Sequence, residues 1–330
     1  MGFYDIIQHN HSYIVFTHKM PDADALCSAV ATKLWIESLD SKNTVDIILD
    51  IEEEMPELYK NILVCEYNKP RLTTYDCAIT VDCASTERIA LGGYELKNFK
   101  HIINIDHHIT NTWFGTANIV MSKFASTGEV LYLLMKRFNY ALNDTLAKLI
   151  YTSILTDTNC FTKISVNAHT FSSIAELLKF NFNDKAIKIN FFKNNSKAKI
   201  YLSQKAMGSL KFYNNDTIAI MKITQKNFTQ TSATYEDSFG IVDNGLAIEG
   251  VKICALFIEK QPNEYYVSLR GKGTVDIVAL AENFGGGGSD GQAAFQFKNN
   301  ISDIEQQFIQ KATEIIANLP DEEADKVIDF

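Results

Sequence analysis

Short apolar runs alternate with helical patterns through the first half of the chain, and that alternation narrows the fold more than any other feature. Residues 13–17 (YIVFT), 45–49, 77–81 (CAITV) and 101–105 (HIINI) each read as a strand, and residues 24–38 carry apolar positions at helical spacing. Apolar strands alternating with helices form parallel sheets covered on both faces. Residues 126–138 and 144–155 read as helices, with Ser126 and Glu129 spaced as a capping box at the start of the first. Helical pattern returns at 167–180.

Around residues 184–201 the composition turns Lys- and Asn-rich, which marks a connector over 186–205 between a first domain, 1–185, and a second, 206–330. A chain of 330 residues is long for one domain and suits two. In the second, residues 217–223, 251–258 and 265–269 read as strands, and 274–282 as a short helix leading into a glycine run. Residues 301–317 read as an amphipathic helix. The expected fold is α/β: an N-terminal parallel-sheet domain plus a smaller C-terminal α/β domain joined by a linker.

Three of the strands run directly into metal-type ligands. YIVFT leads into His18, Asp22 and Asp24, CAITV into Asp82, and HIINI into Asp106, His107 and His108. In an open parallel sheet, ligands bind beyond the carboxyl ends of the strands, so three such ends can meet in one crevice. Asp157, in LTDTN, ends a helical run and supplies a fourth candidate. Taken alone, Asp22 would cap a helix and Asp82 would be a turn residue. Their joint recurrence at strand ends is what selects the metal reading. So many carboxylates cannot collect in one crevice without cations. Carboxylate and imidazole ligation without thiolates suits Mn²⁺, with Mg²⁺, Co²⁺ and Fe²⁺ as alternatives. Carboxylates shared between two ions would hold them roughly 3.5–4 Å apart. His9, His11, His101 and His169 are assigned to surface or core, and Cys27, Cys83 and Cys160, near the motifs, to packing.

The second signal is the run Gly285, Gly286, Gly287 and Gly288, set between a helix and the apolar AAFQF. Glycines let a backbone approach an anion closely and present N–H groups to it. Arg270 closes the strand before the run, with Lys272 following, and a fork-shaped guanidinium suits a phosphate. The net charge of −9 speaks against binding of long duplex nucleic acid. Neither a signal-peptide pattern nor an apolar stretch of spanning length is present, so no membrane association is expected. Six scattered cysteines read as reduced thiols of a cytoplasmic protein.

On these motifs the chain resembles the DHH phosphoesterase family with its DHH-associated C-terminal domain, the group that contains RecJ-like nucleases. Within it the likeness is greatest to stand-alone NrnA-type oligoribonucleases, which also remove the 3′-phosphate of adenosine 3′,5′-bisphosphate. The resemblance runs over nearly the whole chain through His18-x-x-Pro21-Asp22-x-Asp24, Asp82, Asp106-His107-His108 and Thr156-Asp157-Thr158. It implies a pair of divalent ions: His18 and Asp22 on the first, Asp24 and His107 on the second, Asp82 and Asp157 bridging both. It further implies that Asp106 orients His107 and that His108 faces the substrate phosphate. Arg270, the glycines and Ser289 would hold the nucleotide, with the C-terminal domain closing over it. The implied partners are short RNA or a small nucleotide, and a homodimer is a family expectation. The implied reaction is hydrolysis of short oligoribonucleotides, and of adenosine 3′,5′-bisphosphate to AMP, by two-metal activation of water.

One motif departs from the family, which continues its glycines as Gly-Gly-Gly-His. Here Gly288, Ser289, Asp290, Gly291 and Gln292 follow one another, with no His. Ser289 carries no charge and Asp290 would repel an inward phosphate, so the change bears on terminal-phosphate recognition and leaves the metal ligands untouched. A cyclic di-AMP or pApA phosphodiesterase is the nearest alternative. An inorganic pyrophosphatase would share the metal motifs but not the glycine run, and a silent nucleotide-binding regulator would not need the full ligand set.

Overall fold

The computed structural model describes residues 2–51, 57–163, 165–289 and 291–319. They fall into two compact units, Met1–Asn194 and Asn195–Phe330. The division lies inside the Lys- and Asn-rich segment, most of which is helical rather than irregular, in α7 and α8 defined below.

The first unit begins with α1 (Phe3–His9), β1 (Ser12–Phe16), α2 (Ala23–Leu39), β2 (Thr44–Ile48), α3 (Glu57–Lys60), β3 (Cys77–Val81), β4 (His101–Asp106) and β5 (Ala117–Val120). Helices α4 (Thr127–Arg137), α5 (Asp144–Asp157), α6 (Ala168–Leu177) and α7 (Asp184–Phe192) complete it. The five strands form one sheet in the order β2-β1-β3-β4-β5, every neighbouring pair parallel. β5 is too short and mixed in character to stand out in the sequence.

The chain leaves β1 toward β2 on one side and returns to β3 on the other. The order therefore reverses between β1 and β3, which opens a crevice at their carboxyl ends. Strands β1, β3 and β4, which lead into His18, Asp82 and Asp106-His107-His108, lie side by side there. Helix α2 is buried almost all round, and its Trp35 is inaccessible to solvent. Burying one large apolar side chain of this kind contributes about 1.5–3 kcal/mol. Ser126 caps α4 by accepting from Glu129 N at 3.1 Å. The reciprocal half of the capping box is displaced by one residue, because Glu129 Oε2 accepts from Ala125 N at 2.9 Å.

The second unit contains α8 (Lys197–Met207), β6 (Lys211–Tyr213), β7 (Ile218–Ile223), α9 (Gln225–Thr231), α10 (Val242–Leu246), β8 (Ile253–Gln261) and β9 (Glu264–Gly271). It ends with α11 (Ile277–Glu282), β10 (Gly287–Ser289), β11 (Gln292–Lys298) and α12 (Ile301–Ala317). Its sheet has the order β10-β11-β9-β8-β7-β6, antiparallel except for the parallel pair β7–β8. The protein is thus α/β, with a parallel sheet in one unit and a mixed sheet in the other.

Candidate metal centre

Local chemistry explains how each strand end aims its ligand. Asp82 follows β3 with φ +59°, a left-handed conformation that Asp tolerates better than most residues. Its N–H donates to Ile105 O at 3.0 Å, and Thr127 Oγ1 donates to its Oδ1 at 2.9 Å. Asp22 caps α2 by accepting from Ala25 N at 3.1 Å, so the capping and ligand readings both hold for it. Asp24, in the first turn of α2, is buried. Asp157 is the last residue of α5.

The side chains converge in three overlapping sets: His18, Asp22 and Asp82; Asp24, His107 and Asp157; and Asp82, His107 and His108. Within each set the potential ligand atoms lie within 4.8 Å of one another. His107 Nε2 is 3.4 Å from Asp157 Oδ2, 3.6 Å from Asp82 Oδ1 and 4.0 Å from Asp24 Oδ2. His18 Nε2 is 3.6 Å from Asp82 Oδ2. Asp82 and His107 each belong to two sets, which makes them the middle of the cluster. His9, His11, His101 and His169 lie outside all three. Cys27 and Cys83 are buried, and burial holds their thiols well above the usual range, as expected of packing residues.

The ring geometry fits metal ligation. Nδ1 of His18 faces Lys19 O at 2.9 Å, and Nδ1 of His107 faces Phe124 O at 3.4 Å. A carbonyl partner for Nδ1 leaves Nε2 as the lone-pair nitrogen, and in both rings Nε2 points at the carboxylates. The crowded charges shift one another's affinity for protons. Burial lowers the affinity of the His18 ring for a proton, but Asp82 outweighs it and raises the pKa to about 9. His108 is raised to about 9 in the same way, against burial, by Asp106 and Asp82. Asp82 is lowered in spite of its burial, by His18, His108 and His107. Asp24 is raised by burial and by the carboxylates of Asp82 and Asp157. Divalent cations would replace those protons.

Asp106 departs from the role expected of it. Its Oδ1 lies 2.7 Å from Nδ1 of His108, not of His107. The two imidazoles lie side by side, ring centroids 4.6 Å apart, and it is Nδ1 of His108 that meets Asp106 while Nδ1 of His107 faces Phe124 O. Nε2 is then the free nitrogen of His108. Asp106 Oδ2 accepts from Asn111 Nδ2 at 2.6 Å.

Several supporting residues escaped sequence reasoning. The N-terminus of α4 embraces Asp24: Thr127 N donates to its Oδ2 at 2.9 Å and Gly128 N to its Oδ1 at 3.2 Å. Ser153 Oγ and Ser28 Oγ add donors at 2.5 and 3.1 Å. A helix N-terminus favours an anion, so the Ser126-Thr127-Gly128 start of a helix was the available signal. Lys163 Nζ donates to Asp157 Oδ1 at 2.9 Å and neutralises the one candidate ligand that ends a helix.

The second unit joins Arg270 to the glycines through one strand. Arg270 pairs with Gln292, and Gln292 with Ser289, so the three occupy one row of the sheet. Arg270 Nε donates to Asp243 Oδ1 at 3.0 Å and Nη1 to Leu269 O at 2.9 Å. Gly285 ends the turn after α11, and Gly287 and Gly288 lie in β10. A Cβ at Gly286 would meet Ala294 O at 2.2 Å, and one at Gly288 would meet Gln292 O at 2.3 Å. The hairpin's own packing therefore requires glycine at both. Asp290 and the side chain of Ser289 lie outside the described residues.

Fold and centre together define a metal-dependent phosphoesterase. Residues 12–154 match the DHH family N-terminal domain, and residues 215–318 match the DHHA1 domain. The chain belongs to the DHH family of phosphoesterases, and it is a hydrolase. A Streptococcus mutans protein named "probable bifunctional oligoribonuclease and PAP phosphatase NrnA" is 30% identical over 291 residues, covering 83% of this chain and 86% of its own. The Thermus thermophilus protein named bifunctional oligoribonuclease and PAP phosphatase NrnA is 25% identical over 279 residues, covering 83% of this chain and 80% of its own. An exopolyphosphatase-related protein from Bacteroides fragilis shares the fold with a TM-score of 0.84 at 21% identity, over 96% of both chains. RecJ from Thermus thermophilus, solved in complex with Mn²⁺, gives 0.54 at 11% identity over 96% of this chain and 54% of that one.

Proposed function

We propose that this protein hydrolyses short oligoribonucleotides to mononucleotides and removes the 3′-phosphate of adenosine 3′,5′-bisphosphate, in the cytoplasm. The observation that carries the reading is the meeting of His18, Asp22, Asp24, Asp82, His107 and Asp157 in overlapping ligand sets, in a chain similar to relatives bearing those two activities in their names. His18 and Asp22 would hold one divalent ion, Asp24 and His107 a second, with Asp82 and Asp157 shared; Mn²⁺ suits the donors best. Ions held there would supply Lewis acidity that makes water a nucleophile near neutral pH and offsets phosphoryl charge.

The chain's own residues do the rest. His108, raised against burial to about 9 by Asp106 and Asp82, is an imidazolium near neutral pH: Nδ1–H donates to Asp106, and Nε2–H is offered to a phosphoryl oxygen, where it stabilises the charge that grows. Asn111 fixes Asp106, and thereby the ring. The amide groups of α4 hold the Asp24 carboxyl in place. Arg270 and the glycine hairpin, with Ser289, take up the nucleotide, the guanidinium keeping one edge on Asp243.

A panel of a diribonucleotide, a short RNA, adenosine 3′,5′-bisphosphate, pApA and cyclic di-AMP, run with Mn²⁺, tests the reading. Wild type should turn over the diribonucleotide and the bisphosphate fastest, and Asp82→Ala should lose at least about 100-fold in kcat/KM. Equal release by both proteins would move the chemistry elsewhere. Preference for pApA or cyclic di-AMP would replace the proposed substrates while keeping the centre.

A further inference from the structure

The loop that follows His108 carries a side chain that hydrolysis leaves unused. Trp113 is one of two tryptophans in the chain; the other, Trp35, is fully buried. Trp113 stands 59% exposed, so an indole that could contribute a large apolar burial is left in water. It does so at φ +56°, a region that bulky residues seldom occupy and that costs free energy unless neighbours enforce it. Its neighbour Phe114, by contrast, packs against the apolar cluster under the sheet.

The enforcement comes from the centre itself. Asn111 Oδ1 accepts from Trp113 N at 2.7 Å, while Asn111 Nδ2 donates to Asp106 Oδ2 at 2.6 Å and to Cys83 O at 3.1 Å. Thr112 N adds a bond to Ala84 O at 2.8 Å. One buried asparagine thus fixes both the carboxylate that orients His108 and the backbone that presents the indole. Met20, on the loop between His18 and Asp22, repeats the pattern: φ +52° and 77% exposed. Large apolar side chains are therefore held out, on strained backbone, from two of the ligand-bearing loops.

We propose that Trp113 is a stacking platform for the nucleobase of the nucleotide whose phosphate sits at the metal centre. Every base has a π-face, so such a platform selects unpaired nucleotides over base-free phosphoesters without reading sequence. The proposal rests on the phosphoesterase reading given above and names what that site recognises beyond the phosphate.

Two independent measurements test it on the full chain. Titration with AMP, with Mn²⁺ present, should quench the emission of exposed Trp113 over the constant background of Trp35, and ribose 5-phosphate should not. Trp113→Ala should abolish that quench. In steady-state hydrolysis with Mn²⁺, Trp113→Ala should raise KM for a diribonucleotide by about 5- to 100-fold. Its kcat should stay within about threefold of wild type. Trp113→Phe should recover most of the loss. KM for a base-free ribose 3,5-bisphosphate should not change. An AMP quench that survives in Trp113→Ala, an unchanged KM, or equal losses on base-containing and base-free esters would overturn the platform. If wild type hydrolyses none of these esters, the substrate reading fails, and the AMP titration still decides whether Trp113 meets a base.

Discussion

In the first unit all five strands run the same way, so every carboxyl end lies on one edge, and acids and imidazoles from four distant segments meet there. In the second unit the strands mostly alternate in direction, and Arg270 reaches the glycine hairpin sideways, across the register through Gln292. The electrostatics differ as the topologies do. The first cluster holds more carboxylates than imidazoles, and burial with mutual repulsion raises Asp24 while the imidazoles lower Asp82 in spite of its burial. In the second, Arg270 is already matched by Asp243. A parallel sheet concentrates charge at one end and so favours a metal centre, whereas a mixed sheet spreads its termini and favours pairwise recognition.

The contrast can be broken most forcefully at the glycines. If Gly288 serves the hairpin's own packing, Gly288→Ala should destabilise the second unit by about 1–3 kcal/mol in chemical denaturation. Gly287, whose Cβ would meet nothing within 4 Å, should accept Ala at a cost under about 1 kcal/mol. Equal effects at both would point to a shared role that packing does not explain.

A second test uses pH. His18 and His108 are raised in the folded chain to about 9 from an ordinary 6.5, so the stability they give is complete below about pH 6.5 and is lost as pH climbs toward 9. Asp24, also raised, adds to the loss in the same direction. In chelator the thermal midpoint should therefore fall between pH 6.5 and 9, while saturating Mn²⁺ should reduce the fall, because ions take the place of the protons on His18 and Asp24.

The smallest expected effect is at Lys163. It competes for Asp157 Oδ1, so Lys163→Met should tighten Mn²⁺ binding by about 3- to 10-fold in calorimetry. Weaker binding would make Lys163 a support of the ligand instead of its rival.

Much of this was legible in the sequence. The runs before His18, Asp82 and Asp106 read as strands because their apolar residues are continuous, and the candidate ligands stand out because acids or imidazoles recur at three strand ends, where one alone would read as a cap or a turn. Elements without such a signal were missed. β5 has four residues of mixed character, and the helices of the connector hide in a Lys- and Asn-rich stretch. Thr127, Gly128 and Ser153 could not be connected to Asp24, since tertiary packing alone brings residues more than a hundred positions apart within hydrogen-bond distance. The Asp106 partner was misjudged because adjacency in sequence suggested His107, while the fold brings Phe124 O to Nδ1 of His107 and leaves Asp106 to His108.

Mn²⁺ titration of metal-free protein, followed by calorimetry and by paramagnetic resonance, tests the shared-carboxylate centre most directly. Two ions per chain should bind in wild type, with the spin coupling of a bridged pair, and Asp82→Ala should abolish the coupling and at least one binding event. A single ion in wild type, or an Asp82→Ala protein that binds two coupled ions as wild type does, would contradict it.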